Sequence, residues 1–220
     1  MTSAVIFFIG SKAARDDIIR RYGRSFYKNF KAKAKWEYRA ILPQVPDIGD
    51  SIFKFNYAFT PAYIAWYKAF RTMGLDQACA VELIWKINEN MLRLIPSWLL
   101  TRYGAKVYLG GFRKKAPQHA MKSAQNTLPE YDYKTRFREI DANAFEIDIY
   151  ECGMKKLCEK FDASDLFPGV CRIDYLVSHY MGCGFYRTQT LGDGNACCNC
   201  RYEMTGSCSW EPEKGFEDRK

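Results

Sequence analysis

The stretch "YKTRFREIDANAFEIDIYEC", residues 133–152, marks where the character of the chain changes. Polar and apolar side chains alternate on both sides of a short polar turn, "DAN" at 141–143. A period of two sends successive side chains to opposite faces of a pleated strand, so this stretch predicts a β-hairpin. Before it the periodicity is helical. Ile18, Ile19, Tyr22, Phe26, Phe30 and Ala34 recur at helical spacing over 11–39, which predicts one amphipathic helix or two. "LPQVPDIGD" breaks that pattern. "TPAYIAWYKAFRTMG" then reads as a helix with Thr60 as N-cap, Pro61 at the first position and Gly74 past the end. "LDQACAVELIWKINENMLRLI" continues as a second apolar helix with Asp76 as its cap, and Pro96 interrupts or restarts it. Residues 98–125 read as helix on either side of the Gly110–Gly111 pair.

After the hairpin, "CGMKKLCEKF" (152–161) predicts a short helix, and "SDLFPGVCRIDYLVSHYMG" (164–182) a second one ending at Gly182. "CGFYRTQTL" and "ACCNCRYEM" read as two strands joined by "GDGN", with Asp193-Gly194 in a tight turn. The expected fold class is α+β: a helical N-terminal half, then a four-stranded antiparallel sheet in ββααββ order with helices on one face. The expected organisation is a helical region 1–128, an α+β region 129–210 carrying the cysteine motifs, and a frayed polar tail 211–220.

At 220 residues, with 48% hydrophobic and 16% aromatic content, the chain can fill a substantial core. No run of 18 apolar residues exists, so no membrane-spanning helix and no membrane partner is expected. "MTSAVIFFIG" lacks a basic flank and has only a short apolar patch, so it reads as a packed segment and not as a signal peptide. Nine cysteines, an odd count, do not suit a secreted disulfide framework; the reading is a cytoplasmic chain with reduced thiols. The net charge of +8 is concentrated early, from Arg15 through Lys28 and Lys35 to Arg39. No nucleic-acid module accompanies that run, so it reads as a solvated helix face, and nucleic acid is not an expected partner. The aromatic-rich helical half is compatible with a homo-oligomer.

The cysteines divide by strand alternation. If 196–204 is a strand, Cys198 and Cys200 share one face and Cys197 takes the other. "CCNC" does not have the paired spacing of a local zinc knuckle. Cys171 and Asp174 lie three apart on an expected helix, and His179 lies further along roughly the same face. A thiol, a carboxylate and an imidazole can serve as nucleophile, proton carrier and orienting group. Buried thiols with a capping Asp174 are the alternative, and both readings stay open on the residues alone.

The residues also resemble a family. "YEC" at 150–152, "VCRIDYLVSHYMG" at 170–182 and "RTQTLGDGNACCNCRY" at 187–202 are similar to motifs of the L-2-amino-thiazoline-4-carboxylic acid hydrolase family. The resemblance covers roughly 55–203, and its most specific part is the last motif, where arginine, threonines, turn and cysteines come in order. The chain departs from the family in having Asn199-Cys200 where a polar-aromatic pair is usual, and Gly153 where a proline is common. The resemblance implies a hydrolase of cysteine metabolism acting on carbon–nitrogen bonds of a cyclic amidine, opening an amino-thiazoline carboxylate to a carbamoyl-cysteine. It implies Asp174 as general acid/base, a nucleophile among Cys171, Cys198 and Cys152, and Arg187 and Thr190, with His179, as substrate-holding residues. Arg187 suits a substrate carboxylate because its planar fork pairs bidentately. Strand alternation puts Arg187 and Thr190 on opposite faces, so both in one site would need an irregularity there. No cofactor is required on this reading. A ββααββ unit with late cysteines also resembles the vinyl-reductase-like sensor domains, which implies a ligand-binding module without catalysis. Zinc on Cys152, Cys171 and Cys198 would then be the cofactor.

Overall fold

The computed structural model of the protein describes residues 2–208; the expected tail at 211–220 lies outside the described residues. Helices α1 (Ser3–Ala13) and α2 (Arg15–Ile41) begin the chain. Gly23 kinks α2 with φ 86°, which divides the amphipathic stretch into two segments. Beyond the kink, Phe30, Ala34, Tyr38 and Ile41 are buried at the spacing of one helix face, and the basic residues lie on the other. Two short turns of helix precede the core helix: a 3₁₀ turn at Leu42–Gln44 and α3 at Lys54–Tyr57.

Helix α4 (Thr60–Thr72) is buried almost all round, as a helix apolar on every side must be. Phe70 stacks on Phe30 at 4.3 Å between ring centroids, and the Trp66 indole donates to Ser11 Oγ at 2.9 Å. Thr60 is the first helical residue here and not the cap; Phe59 takes the cap position in an already helical conformation. Helix α5 (Gln77–Arg93) is capped as expected, Asp76 accepting from the Cys79 amide at 2.7 Å.

Pro96 does restart the helix. From α6 (Ser97–Leu99) the chain continues without interruption through a π-helical stretch, Leu100–Leu109, into α7 (Gly110–Ala124). The glycine pair is therefore no break: Gly110 keeps helical angles, φ −64° and ψ −41°. Gly104 lets the stretch come close to Met181, whose Cγ would stand 3.0 Å from any Cβ at that position.

The sheet has strands β1 (Lys134–Glu139), β2 (Ala144–Glu151), β3 (Gly184–Tyr186) and β4 (Cys198–Glu203), ordered β1-β2-β4-β3 with every pairing antiparallel. The hairpin at 133–152 is β1 and β2, with Asp141 Oδ1 accepting the Asn143 and Ala144 amides to close its turn. Register sets Phe145 opposite Tyr202, Ile147 opposite Cys200 and Ile149 opposite Cys198. These side chains form the core face, against which the helices pack. The other face carries Glu146 and Asp148, which pair with Arg138, and Arg201, which also pairs with Glu146. One buried and one charged face is the pattern of a sheet with helices on one side. Between the hairpins lie α8 (Gly153–Lys160), a 3₁₀ turn (Ser164–Leu166), α9 (Phe167–Val170) and α10 (Ile173–Met181). Gly182 ends α10 in the left-handed conformation, φ 65°, a position that favours glycine. The ββααββ order holds, with the second expected helix divided at Cys171–Arg172.

A polar network ties the two halves together. Asp132 accepts from Ser51 Oγ at 2.5 Å and from the Tyr133 amide at 2.8 Å, and meets His119 Nε2 at 3.3 Å. His119 Nδ1 in turn meets Thr135 Oγ1 at 3.1 Å. All of these side chains are buried. Among the described residues no helix is long and apolar enough to cross a membrane.

Candidate active site

A cavity of about 500 Å³ lies between the helices and the core face of the sheet. Cys152, Cys171, Asp174, Arg187 and Cys198 all line it. They arrive by different routes. Cys171 caps the end of α9, and Asp174 stands in the first turn of α10. Cys198 opens β4, and Cys152 is the residue between β2 and α8. Of the "CCNC" run, Cys198 and Cys200 point inward and are buried, as alternation requires, while Cys197 precedes the strand and is only half-buried.

Arg187 and Thr190 both turn inward because β3 ends at Tyr186. The expected long strand at 183–191 stops there. The side chain of Asn199 accepts from the Thr188 amide at 3.0 Å and the Gln189 amide at 2.7 Å, and its backbone amide donates to the Gln189 carbonyl at 3.3 Å, so a side chain takes up amides that a regular ladder would pair. Thr190 then starts a 3₁₀ turn, Leu191–Asp193, instead of a two-residue hairpin turn. The turn closes through Gly194 at φ 80° and is anchored by the Arg172–Asp193 ion pair. The strand-face conflict between positions 187 and 190 disappears with the strand.

Thr190 Oγ1 is the centre of the thiol cluster. It lies 2.9 Å from Cys171 Sγ and 3.4 Å from Cys198 Sγ, and accepts from the Gly192 amide at 3.1 Å. Leu191 N donates to Cys198 Sγ at 3.2 Å. The Arg187 guanidinium donates through both Nη atoms to the Cys171 carbonyl at 3.2 Å. It also lies 3.8 Å from Cys171 Sγ and 3.6 Å from Asp174 Oδ2. Its Nε is buried and has no hydrogen-bond partner among the described residues.

This environment favours one thiolate. Cys171 is held well below the usual thiol range, first by the hydrogen bond from Cys198, then by Arg187, Thr190 and the Gly192 amide, against the cost of burial. Cys198 is pushed up for the complementary reason: its proton serves its neighbour, and it too is desolvated. Cys152 is pushed up to about 12 by burial, so it stays a neutral thiol. Asp174 is raised to about 6 by burial, with Arg187 opposing and Cys171 adding to the rise. The carboxylate remains a third exposed, within reach from the cavity. A thiol and a carboxyl group thus face one cavity around a shared cation.

His179 does not join them. It does not line the cavity, and its Nδ1 meets the Cys208 carbonyl at 3.1 Å. The helical phase that would carry it to the site is broken where α9 ends and α10 begins. The zinc set is not assembled either: among the described residues no three His, Cys, Asp or Glu side chains come together in a metal-holding group. These residues therefore do not fit a bound zinc ion.

Four polar lining residues carry little signal in the sequence. Tyr63 Oη donates to Asn88 Oδ1 at 2.6 Å, and Tyr108 Oη to Asn56 Oδ1 at 2.9 Å. Asn88 sits among Lys86, Glu89 and Asn90 in "LIWKINENML", so nothing in the sequence sets it apart as a cavity residue. No curated protein matches the chain. The family model for L-2-amino-thiazoline-4-carboxylic acid hydrolase matches residues 56–202. That span is more than half of the chain and takes in the whole thiol, carboxylate and guanidinium cluster. The chain belongs to the L-2-amino-thiazoline-4-carboxylic acid hydrolase family.

Proposed function

We propose that the protein is a cysteine-dependent hydrolase that opens a cyclic amidine, such as L-2-amino-thiazoline-4-carboxylate, to a carbamoyl-cysteine. The observation that carries this reading is the Cys171 thiol, 2.9 Å from Thr190 Oγ1 and beside the Arg187–Asp174 pair on the cavity wall. The ring enters as its protonated amidine. The Cys171 thiolate adds to the carbon between nitrogen and sulfur. Neutral Asp174 gives its proton to the ring nitrogen, and the carbon–nitrogen bond breaks with the amine as leaving group. The amidine carbon is then held on Cys171. Water attacks it, the Asp174 carboxylate takes the water's proton, and the Cys171 thiolate departs, leaving a carbamoyl group on the product. Arg187 steadies the thiolate and faces the substrate carboxylate. Thr190 is fully buried and engaged by both thiols, so its role is to position Cys171 and not to touch substrate. The chemistry needs a free thiol, which suits a reducing, cytoplasmic compartment.

The test is mass spectrometry of L-2-amino-thiazoline-4-carboxylate incubated with the purified protein. Conversion to a carbamoyl-cysteine, abolished in Cys171→Ala and reduced by about 100-fold or more in Asp174→Asn, is the expected result. Absence of conversion by the unmodified protein would refute it. A second reading, a small-molecule-binding module without catalysis, is favoured by one feature alone, the size and apolar character of the cavity.

A further inference from the structure

We propose that the molecule this site acts on carries a large apolar substituent, held in the cavity while its reactive polar head lies at Cys171. This rests on the proposed hydrolase reading and specifies its substrate class. A thiazoline carboxylate is one small ring with two polar groups. The cavity, at about 500 Å³, falls within the range of roughly 300–1,000 Å³ that accommodates drug-sized ligands. At roughly 30 Å³ per water, the small ring would leave most of that space to solvent.

Wall chemistry points the same way. The groups able to bind or attack a polar head are gathered in one place: Cys171, Asp174, Arg187 and Cys198 lie within one contact network. Elsewhere the polar wall atoms of Tyr63, Asn88, Tyr108 and Asn56 are bonded to one another. Apart from the Cys152 thiol and the Tyr133 and Tyr202 hydroxyls, the remainder is aliphatic and aromatic, from Leu92, Leu100, Phe112 and Ile149 to Val177. Water in such a space finds few partners, and an apolar group displaces it favourably. The approach is apolar as well. Leu94 and Val107 line the cavity and are 66% and 71% exposed, so the wall continues to the surface as hydrophobic side chains. A polar metabolite has no use for such an entrance, whereas a tailed one would slide along it.

The experiment uses N-alkyl iodoacetamides of increasing chain length, from methyl to decyl, on the full-length protein. In each, the Cys171 sulfur displaces iodide and forms a carbon–sulfur bond, so no cofactor or co-reactant is needed. Site-resolved mass spectrometry gives the second-order rate at Cys171. The same reagents on glutathione correct for intrinsic reactivity. Burying one methylene is worth about a fourfold gain in affinity. The corrected rate at Cys171 should therefore climb by up to about fourfold per methylene until the cavity is full. Val107→Asp, at the exposed mouth, should reduce the decyl-to-methyl ratio by about tenfold or more. Leu92→Trp, deeper in, should cap the rise at a shorter chain. A corrected rate that is flat or falls with chain length overturns the proposal, as does a decyl-to-methyl ratio untouched by both variants. Turnover of the unsubstituted thiazoline, followed on the same sample, separates the two ideas. Turnover with a flat series rejects the apolar substituent and leaves the hydrolase reading standing. A rising series without turnover supports the apolar pocket and rejects the plain thiazoline as substrate.

Discussion

Thr190→Val removes one hydroxyl and almost no volume. Thr190 Oγ1 stands 2.9 Å from Cys171 Sγ, and its side chain is fully buried, so water cannot replace the lost bond. A hydrogen bond to a charged group contributes about 1.5–3 kcal/mol, and one unit of pKa corresponds to about 1.4 kcal/mol. The Cys171 thiolate should therefore become harder to form, by about one to two pH units. The direction follows from the charge: the hydroxyl favours the ionised sulfur, so its loss raises the value toward 9.0, the ordinary thiol value. The assay is the pH dependence of iodoacetamide alkylation at Cys171, resolved from the other cysteines by peptide mass. In the parent the rate should reach its plateau well below the usual thiol range. In Thr190→Val the midpoint should move up by about one to two units, and in Thr190→Ser it should stay near the parent. The Gly192 amide also loses an acceptor, so a small loss of stability should accompany the shift. An unmoved midpoint in a folded Thr190→Val protein would refute the account of how Cys171 is ionised.

Three further outcomes follow from other parts of the structure. On the proposed mechanism, kcat/KM for thiazoline opening should fall as pH rises through about 6, where Asp174 gives up the proton assigned to the leaving nitrogen; Asp174→Asn should remove that limb along with most of the activity, which a pH–rate profile would register. Asp132→Ala strands Ser51, His119 and the Tyr133 amide in the interior and should cost about 3 kcal/mol or more in urea unfolding, while the Cys171 alkylation midpoint stays in place. Gly153→Ala would set a Cβ 2.2 Å from the Tyr131 carbonyl oxygen, so the backbone beside Cys152 must move; a loss of about 1–3 kcal/mol is expected by the same measurement.

The elements legible in the sequence are those whose signal is local. Alternation at 133–152 marks the hairpin, Asp76 marks a cap, and Gly182 marks a helix end. Pairing of Cys171 with Asp174 at the site was legible because a short separation survives the bend between α9 and α10. The reach to His179 was not, because helical phase counts only within an unbroken helix. Nor could the pattern show that β3 stops at Tyr186. That depends on Asn199, a residue of another strand, taking the Thr188 and Gln189 amides. The helix running through Gly110–Gly111 escaped for a similar reason. Glycine's weak helix propensity argues for a break, and tertiary packing of the Leu100–Leu109 stretch against α10 overrides it.

The site's chemistry rests on one cation shared by two acids. Arg187 lies 3.6 Å from Asp174 and 3.8 Å from Cys171 Sγ, and its bonds to the Cys171 carbonyl fix it there. In a desolvated cavity one positive charge stabilises one neighbouring anion far better than two. Cys171 has three more donors, from Cys198, Thr190 and Gly192, so the anion settles on sulfur. Among the described residues Asp174 has no comparable set, and burial and the nearby thiolate both favour its protonated form. On the proposed mechanism this arrangement holds a nucleophile and an acid side by side. That division follows from which residue the Leu191–Asp193 turn surrounds with donors. Changes in the helices lining the rest of the cavity should therefore alter which substrate fits before they alter the chemistry at Cys171.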